Sequence, residues 1–238
     1  MWALVTDDFR LYMYKNGYLR TSSGNFSLAD KSNFVHLTNH CFQKQGANYS
    51  AHEEGNILSF DDLRKYFAEM YPHVREDVIE TALLPRARDL IIDTYLSVRR
   101  KLNPMCYNNV FELFGFDFMV DEDMRVWLLE VNTNPHLGQP SEYMRKLLPQ
   151  MINDMLKIVV DPILKPQKVP DPDRENAFEL IYRDASKRHG NAVNKRRPFT
   201  KDTLYPIPSI RVASNSPPRG NALNGNNKVG TVTSMAAQ

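Results

Sequence analysis

The chain has 238 residues, 42% of them apolar or aromatic, and 30 basic against 28 acidic side chains give a formal charge of +2. That length suits one large domain, or a domain and a half, with a real core. No apolar run approaches the ~20 residues of a membrane helix, the N-terminus has no signal-peptide pattern, and Cys41 and Cys106 cannot build a disulfide framework, so a reducing, intracellular setting is the default. Charge divides the chain. Residues 1–164 hold 17 basic and 22 acidic residues, whereas 165–238 hold 13 and 6. The front part reads as the folded domain. The back part, entered through Lys165–Pro172, reads as a basic, largely disordered tail with one short helix over 174–187.

Trp2–Thr6 alternates like a strand and is read as an edge strand or as a piece of a larger protein. Arg10–Tyr14 and Tyr18–Thr21 flank Asn16-Gly17, a hairpin signal. Phe34–Thr38 reads as a short strand. Ser59 with Asp62 three residues on marks a helix start, and Leu63, Phe67 and Met70 follow at helical spacing. A helical region runs over roughly 75–101 with Pro85 as a kink or break, and another covers 142–160. Between them lie two strands, Phe114–Val120 and Arg125–Val131.

Those two strands carry the chemistry. With Asp121–Met124 as the turn, Val120 faces Arg125, Phe118 faces Trp127 and Phe116 faces Leu129. One side of the ribbon then holds Phe116, Phe118, Trp127, Leu129 and Val131 as a core face. The other gathers Asp117, Glu130 and Asn132 on a sheltered surface. Two close carboxylates repel unless a cation or proton intervenes. Hard oxygen donors with an amide carbonyl suit Mg²⁺, which takes substrate phosphate as well. The alternative is a surface carboxylate pair on a half-exposed hairpin. Arg20 reads as a ligand or a solvated strand charge, and His36, His40 and Cys41 lack a fourth partner at a zinc spacing. No glycine-rich phosphate loop or nucleophile elbow is present, so any phosphate handling falls to Mg²⁺ and side chains.

Taken together, Tyr18-Leu19-Arg20-Thr21, His36-Leu37-Thr38-Asn39-His40 with Lys44, Glu53-Glu54-Gly55-Asn56, and Phe114–Pro135 ending Glu130-Val131-Asn132-Thr133-Asn134-Pro135 resemble the tubulin–tyrosine ligase and ligase-like family. The resemblance covers about residues 2–160. It implies an α/β (α+β) fold, the C-terminal portion of an ATP-grasp domain, with an antiparallel sheet flanked by helices over 1–164 and truncated at its N-terminus. It implies ATP and Mg²⁺ as cofactors. Asp117, Glu130 and Asn132 take the place of the metal ligands. Arg20 takes that of the arginine facing the γ-phosphate, and Thr38 and Asn39 those of nucleotide contacts. His40, Cys41, Lys44 and Thr133 fall in the amino-acid pocket. The implied reaction joins a free amino acid to a carboxylate of the acidic tubulin tail through an acyl phosphate, in the cytoplasm on microtubules. Tyrosine is the first expectation for the amino acid, glutamate the main alternative and glycine a weaker one. A non-catalytic form that only binds tubulin or another partner is the competing reading. Nucleic acid is not an expected partner, because the basic tail lacks interleaved aromatics, and no membrane is expected, because no apolar run is long enough to span one.

Overall fold

The sheet is built around β1 (Trp2–Thr6), which pairs antiparallel with β2 (Arg10–Tyr14) on one side and β5 (Phe111–Val120) on the other. It is therefore an interior strand, and the edge-strand expectation is corrected. The computed structural model describes residues 1–164, 176–184 and 232–235. Alternation explains the burial. Met1, Ala3 and Val5 enter one apolar cluster, and Trp2 and Leu4 enter another on the opposite face. Leu11 and Met13 repeat the division against Tyr12 and Tyr14 in β2. A strand buried on both faces needs a near-continuous apolar run, and these two supply it.

Helices cover both faces. α3 (Phe60–Met70) and α4 (Leu84–Leu102) place Phe60, Leu63, Ala87, Ile91 and Tyr95 in the first cluster. α5 (Glu142–Val159) places Met144, Leu147, Leu148, Met151 and Ile158 in the second, and the short α6 (Asp161–Leu164) follows it. The expected capping box at α3 is present: Ser59 accepts from the Asp62 amide at 3.1 Å, and Asp62 accepts from the Ser59 amide at 3.0 Å. Pro85 marks the expected break in the helical region. It sits in the first turn of α4, where its missing N–H costs nothing, directly after a single π-helical stretch at Ile79–Leu83.

Three further expectations are corrected. Phe34–Thr38 is not a strand; α1 (Asn33–His36) forms there, capped by the Ser32 side chain, and α2 (His40–Gln43) follows. Arg10–Tyr14 and Tyr18–Thr21 do not form a hairpin with each other. β2 spends its second edge on β7 (Phe178–Arg183), while β3 (Leu19–Thr21) pairs with β4 (Ile57–Leu58) and β8 (Val232–Met235). Within 174–187, the described segment is strand β7, not a helix: Phe178, Leu180 and Tyr182 alternate, and β2 offers an open edge. The expected disorder falls largely on residues outside those described. The sheet order is β4-β3-β8-β5-β1-β2-β7, with β6 (Val126–Asn132) paired to β5, and every pairing is antiparallel. Among the described residues no helix is long and apolar enough to cross a membrane.

Candidate active site

The β5–β6 ribbon carries one extra residue. From the turn inward, Val120 faces Val126, Met119 faces Trp127 and Phe118 faces Leu128; then the register shifts, so that Asp117 faces Glu130, Phe116 faces Val131 and Gly115 faces Asn132. The expected register was one residue off at the turn, and a β-bulge adds a second step. The turn explains the first error. Asp121 receives the Arg125 N–H in its side chain and donates its own N–H to the Arg125 carbonyl, and Met124 adopts a left-handed φ of 61°, so the loop closes at Val126 rather than Arg125.

The consequence for the core face is direct. Phe116 and Phe118 pack with Leu128 and Val131, whereas Trp127 and Leu129 are 54% and 53% exposed and leave the expected core face. Asp117 is 1% exposed and Glu130 is exposed, so the carboxylates lie opposite each other at the rim of the buried region rather than on a uniformly sheltered surface. The Asn132 amide, half-buried, donates to Glu130 at 3.3 Å.

Arg20 reaches this point from β3. Its Nη2 donates to Asp117 Oδ2 at 2.8 Å, with side-chain exposures of 7% and 2%. Its Nε and Nη1 are buried with no hydrogen-bond partner among the described residues. A guanidinium holds five N–H donors in a planar fork suited to phosphate or carboxylate oxygens. Two orphaned nitrogens at nearly full burial are costly unless a ligand completes them.

Above β3 sits a polar network that pattern reasoning did not identify. Gln43 is fully buried; its Oε1 accepts from the Ser23 amide at 2.9 Å and hydroxyl at 2.6 Å, and its Nε2 donates to the Phe34 and Leu37 carbonyls. Asn56, also buried, donates to the Thr21 carbonyl at 3.2 Å and the Ser23 hydroxyl at 2.9 Å, and Thr21 donates to Glu53 at 3.1 Å. These bonds tie the α1–α2 segment and the Glu53–Asn56 turn to the strand that carries Arg20. The legible signal was Glu53-Glu54-Gly55-Asn56, although the physical reason lies in the backbone. Gly55 has φ +67°, and a Cβ there would meet the Pro140 carbonyl oxygen at 2.7 Å. Gly55→Ala is expected to cost about 2 kcal/mol or more, from left-handed strain plus that clash; chemical denaturation with unchanged slope checks it.

The remaining expected residues are placed as follows. Thr38 is half-buried between α1 and α2, and Asn39 caps α2 by accepting from the Phe42 amide at 3.2 Å. His40 opens α2 and stands 3.4 Å from the Tyr49 hydroxyl. Cys41 and Lys44 are exposed on α2 and at its end, and Thr133 is exposed just after β6. His36 bonds to the Asp30 carbonyl instead of joining His40 and Cys41. Among the described residues no three His, Cys, Asp or Glu side chains converge on a point.

The model of the tubulin-tyrosine ligase family matches residues 1–168 of this chain. The chain belongs to that family. Tubulin glycylase 3A of Drosophila melanogaster is 31% identical over 185 residues, 76% of this chain and 18% of the relative. Tubulin polyglutamylase TTLL5 of Mus musculus is 29% identical over 170 residues, covering 67% and 13%. The human protein named inactive polyglycylase TTLL10 is 26% identical over 221 residues, covering 89% and 32%. This family member thus spans a third or less of the length of these relatives. The matched stretch includes the ribbon, Arg20 and the network above it.

Proposed function

We propose that the chain carries the phosphate-facing corner of an ATP-dependent ligase that joins an amino acid to a carboxylate of tubulin. The observation that carries this reading is Arg20: buried, paired to Asp117 at 2.8 Å, and left with two donor nitrogens unfilled. Such a group suits the transferring phosphoryl, whose charge must be neutralised during transfer. Asp117, Glu130 and Asn132 would hold Mg²⁺. A site of two carboxylates and an amide oxygen, completed by substrate phosphate and water, fits that ion's habits. When bound, the ion supplies charge neutralisation at the phosphates. The protein's own part is positional. Arg20 is held by the Asp117 pair, β3 is held by Asn56, and Asn39 fixes the start of α2. Thr38 and Asn39 serve as nucleotide contacts in this reading, and His40, Cys41, Lys44 and Thr133 line the amino-acid side.

The amino acid is proposed as glycine or glutamate. Thr38–Cys41 and Phe114–Asn132 resemble the tyrosine-adding branch, but the relatives above carry glycylase and polyglutamylase names. An acidic tubulin tail as acceptor places the protein with microtubules in the cytoplasm. The protein that carries this chain is tested with tubulin, Mg·ATP and labelled glycine, glutamate and tyrosine. Incorporation of glycine or glutamate, lost on chelation of Mg²⁺, is the expected result. Incorporation of tyrosine alone overturns the amino-acid choice. No incorporation of any of the three, together with no Mg·ATP binding at millimolar concentration by calorimetry, overturns the ligase reading and leaves a binding module.

A further inference from the structure

We propose that His136, stacked against His40 near Lys44 and Arg20, forms a subsite for a carboxylate of the ligation substrates, either a side-chain or terminal carboxylate of the acidic acceptor or the α-carboxylate of the incoming amino acid. This rests on the ligase reading above and adds a residue that neither spacing nor resemblance singled out.

The two imidazoles come from different elements. His40 opens α2, and His136 lies in the loop after β6, next to buried Pro135. Their ring centroids are 6.1 Å apart with planes 27° from parallel, and Tyr49 meets the edge of His40 at 5.5 Å and 70°. The seat for His136 depends on a bare glycine. A Cβ at Gly138 would lie 2.0 Å from His136 Nε2, so the ring could not rest there against any larger residue.

The electrostatics agree with the geometry. Burial pushes the His40 imidazole below its ordinary pKa, and the charges of His136, Lys44 and Arg20 push it the same way; a backbone hydrogen bond with Gly55 opposes them. Groups that repel one another's protons gain most from an anion among them, because a carboxylate favours every charged form. Binding there is coupled to proton uptake by the same linkage. Among the described residues no third His, Cys, Asp or Glu joins the two imidazoles to make a metal site. The substrate class fits as well. ATP, an acidic acceptor and an amino acid all bring negative charge, and the open donors of Arg20 are assigned above to the phosphoryl group.

The test measures KM and kcat separately for a tubulin-tail peptide and for the amino acid, in the parent protein and in His136→Ala and His136→Gln, at about pH 6.5 and about pH 8. His136 is exposed, and thermal stability controls for the fold. His136→Ala is expected to raise one KM by roughly 5–10-fold, an ordinary loss for a charge-assisted hydrogen bond, with kcat within about twofold. The effect is expected to be larger at the lower pH, because carboxylate binding is coupled to proton uptake. A rise for the peptide assigns the acceptor, and a rise for the amino acid assigns its α-carboxylate. Both KM values unchanged overturns the subsite while leaving the ligase reading intact. If the parent ligates nothing, anisotropy with a labelled glutamate-rich peptide decides. Weaker binding by His136→Ala sustains the subsite without the ligase, and equal binding overturns it.

Discussion

Asp117→Ala is expected to destabilise the protein by about 3–5 kcal/mol, because it leaves the Arg20 guanidinium charged, buried and uncompensated. The side chains are 7% and 2% exposed, so water cannot take over the lost partner without opening the sheet. For a domain of this size the loss corresponds to a fall in melting temperature of roughly 6–20 °C. The double change Arg20→Met with Asp117→Leu is the informative companion. Removing both charges together recovers most of the stability if the pair is retained for function rather than for folding. The doubly apolar protein is then expected to be stable and inert toward ATP. An Asp117→Ala protein within 1 kcal/mol of the parent would mean that Arg20 finds another counter-charge, and the site description would be wrong.

Glu130→Gln is expected to do the opposite: stability within about 0.5 kcal/mol of the parent, but turnover reduced by roughly a hundredfold to a thousandfold or more. Glu130 is exposed, and glutamine keeps the oxygen that accepts from Asn132 at 3.3 Å, so the fold has little to lose. What disappears is a unit of negative charge opposite Asp117. Steady-state kinetics across Mg²⁺ concentration, set beside a denaturation curve, separates the two readouts. Full activity in Glu130→Gln removes Glu130 from the proposed metal set. A matching loss of stability would mark it as a structural residue instead.

Much of the architecture was legible from local chemistry. The Ser59–Asp62 cap, the helical region over 142–160 and the strand character of Trp2–Thr6 each followed from side chains within a few residues. The errors came where a distant partner decides. β2 could have turned back on β3, but β1 and β7 took its edges. Phe178–Arg183 has apolar residues consistent with a helical stripe, and an available sheet edge made it a strand. At the site, Arg20, Asp117 and Glu130 were identifiable by residue type and order. Gln43 and Asn56 were not, since a buried amide looks like any other polar residue until the carbonyls it satisfies are known. His136 was equally silent, because its meaning depends on a ring that lies 96 positions earlier in the chain.

The bulge beside Leu129 divides the ribbon into two reading frames. Toward the turn, pairing follows Phe118 with Leu128; toward the site, it follows Asp117 with Glu130. Side chains in a strand change sides with every residue, so an unbroken frame continued from Phe118–Leu128 would set Leu129 opposite Asp117; the extra residue seats Glu130 there instead. Straightening the bulge while the turn-side pairs hold would bring Leu129 opposite Asp117 and exchange a charge for a hydrocarbon, whereas excising Leu129 itself would leave Glu130 there. Length changes confined to the Asp121–Arg125 loop carry no such penalty while Val120 still faces Val126, because every pair inward follows from that one. The irregularity thus acts as a one-residue phase shift, and it is what seats a carboxylate rather than a hydrocarbon across from Asp117.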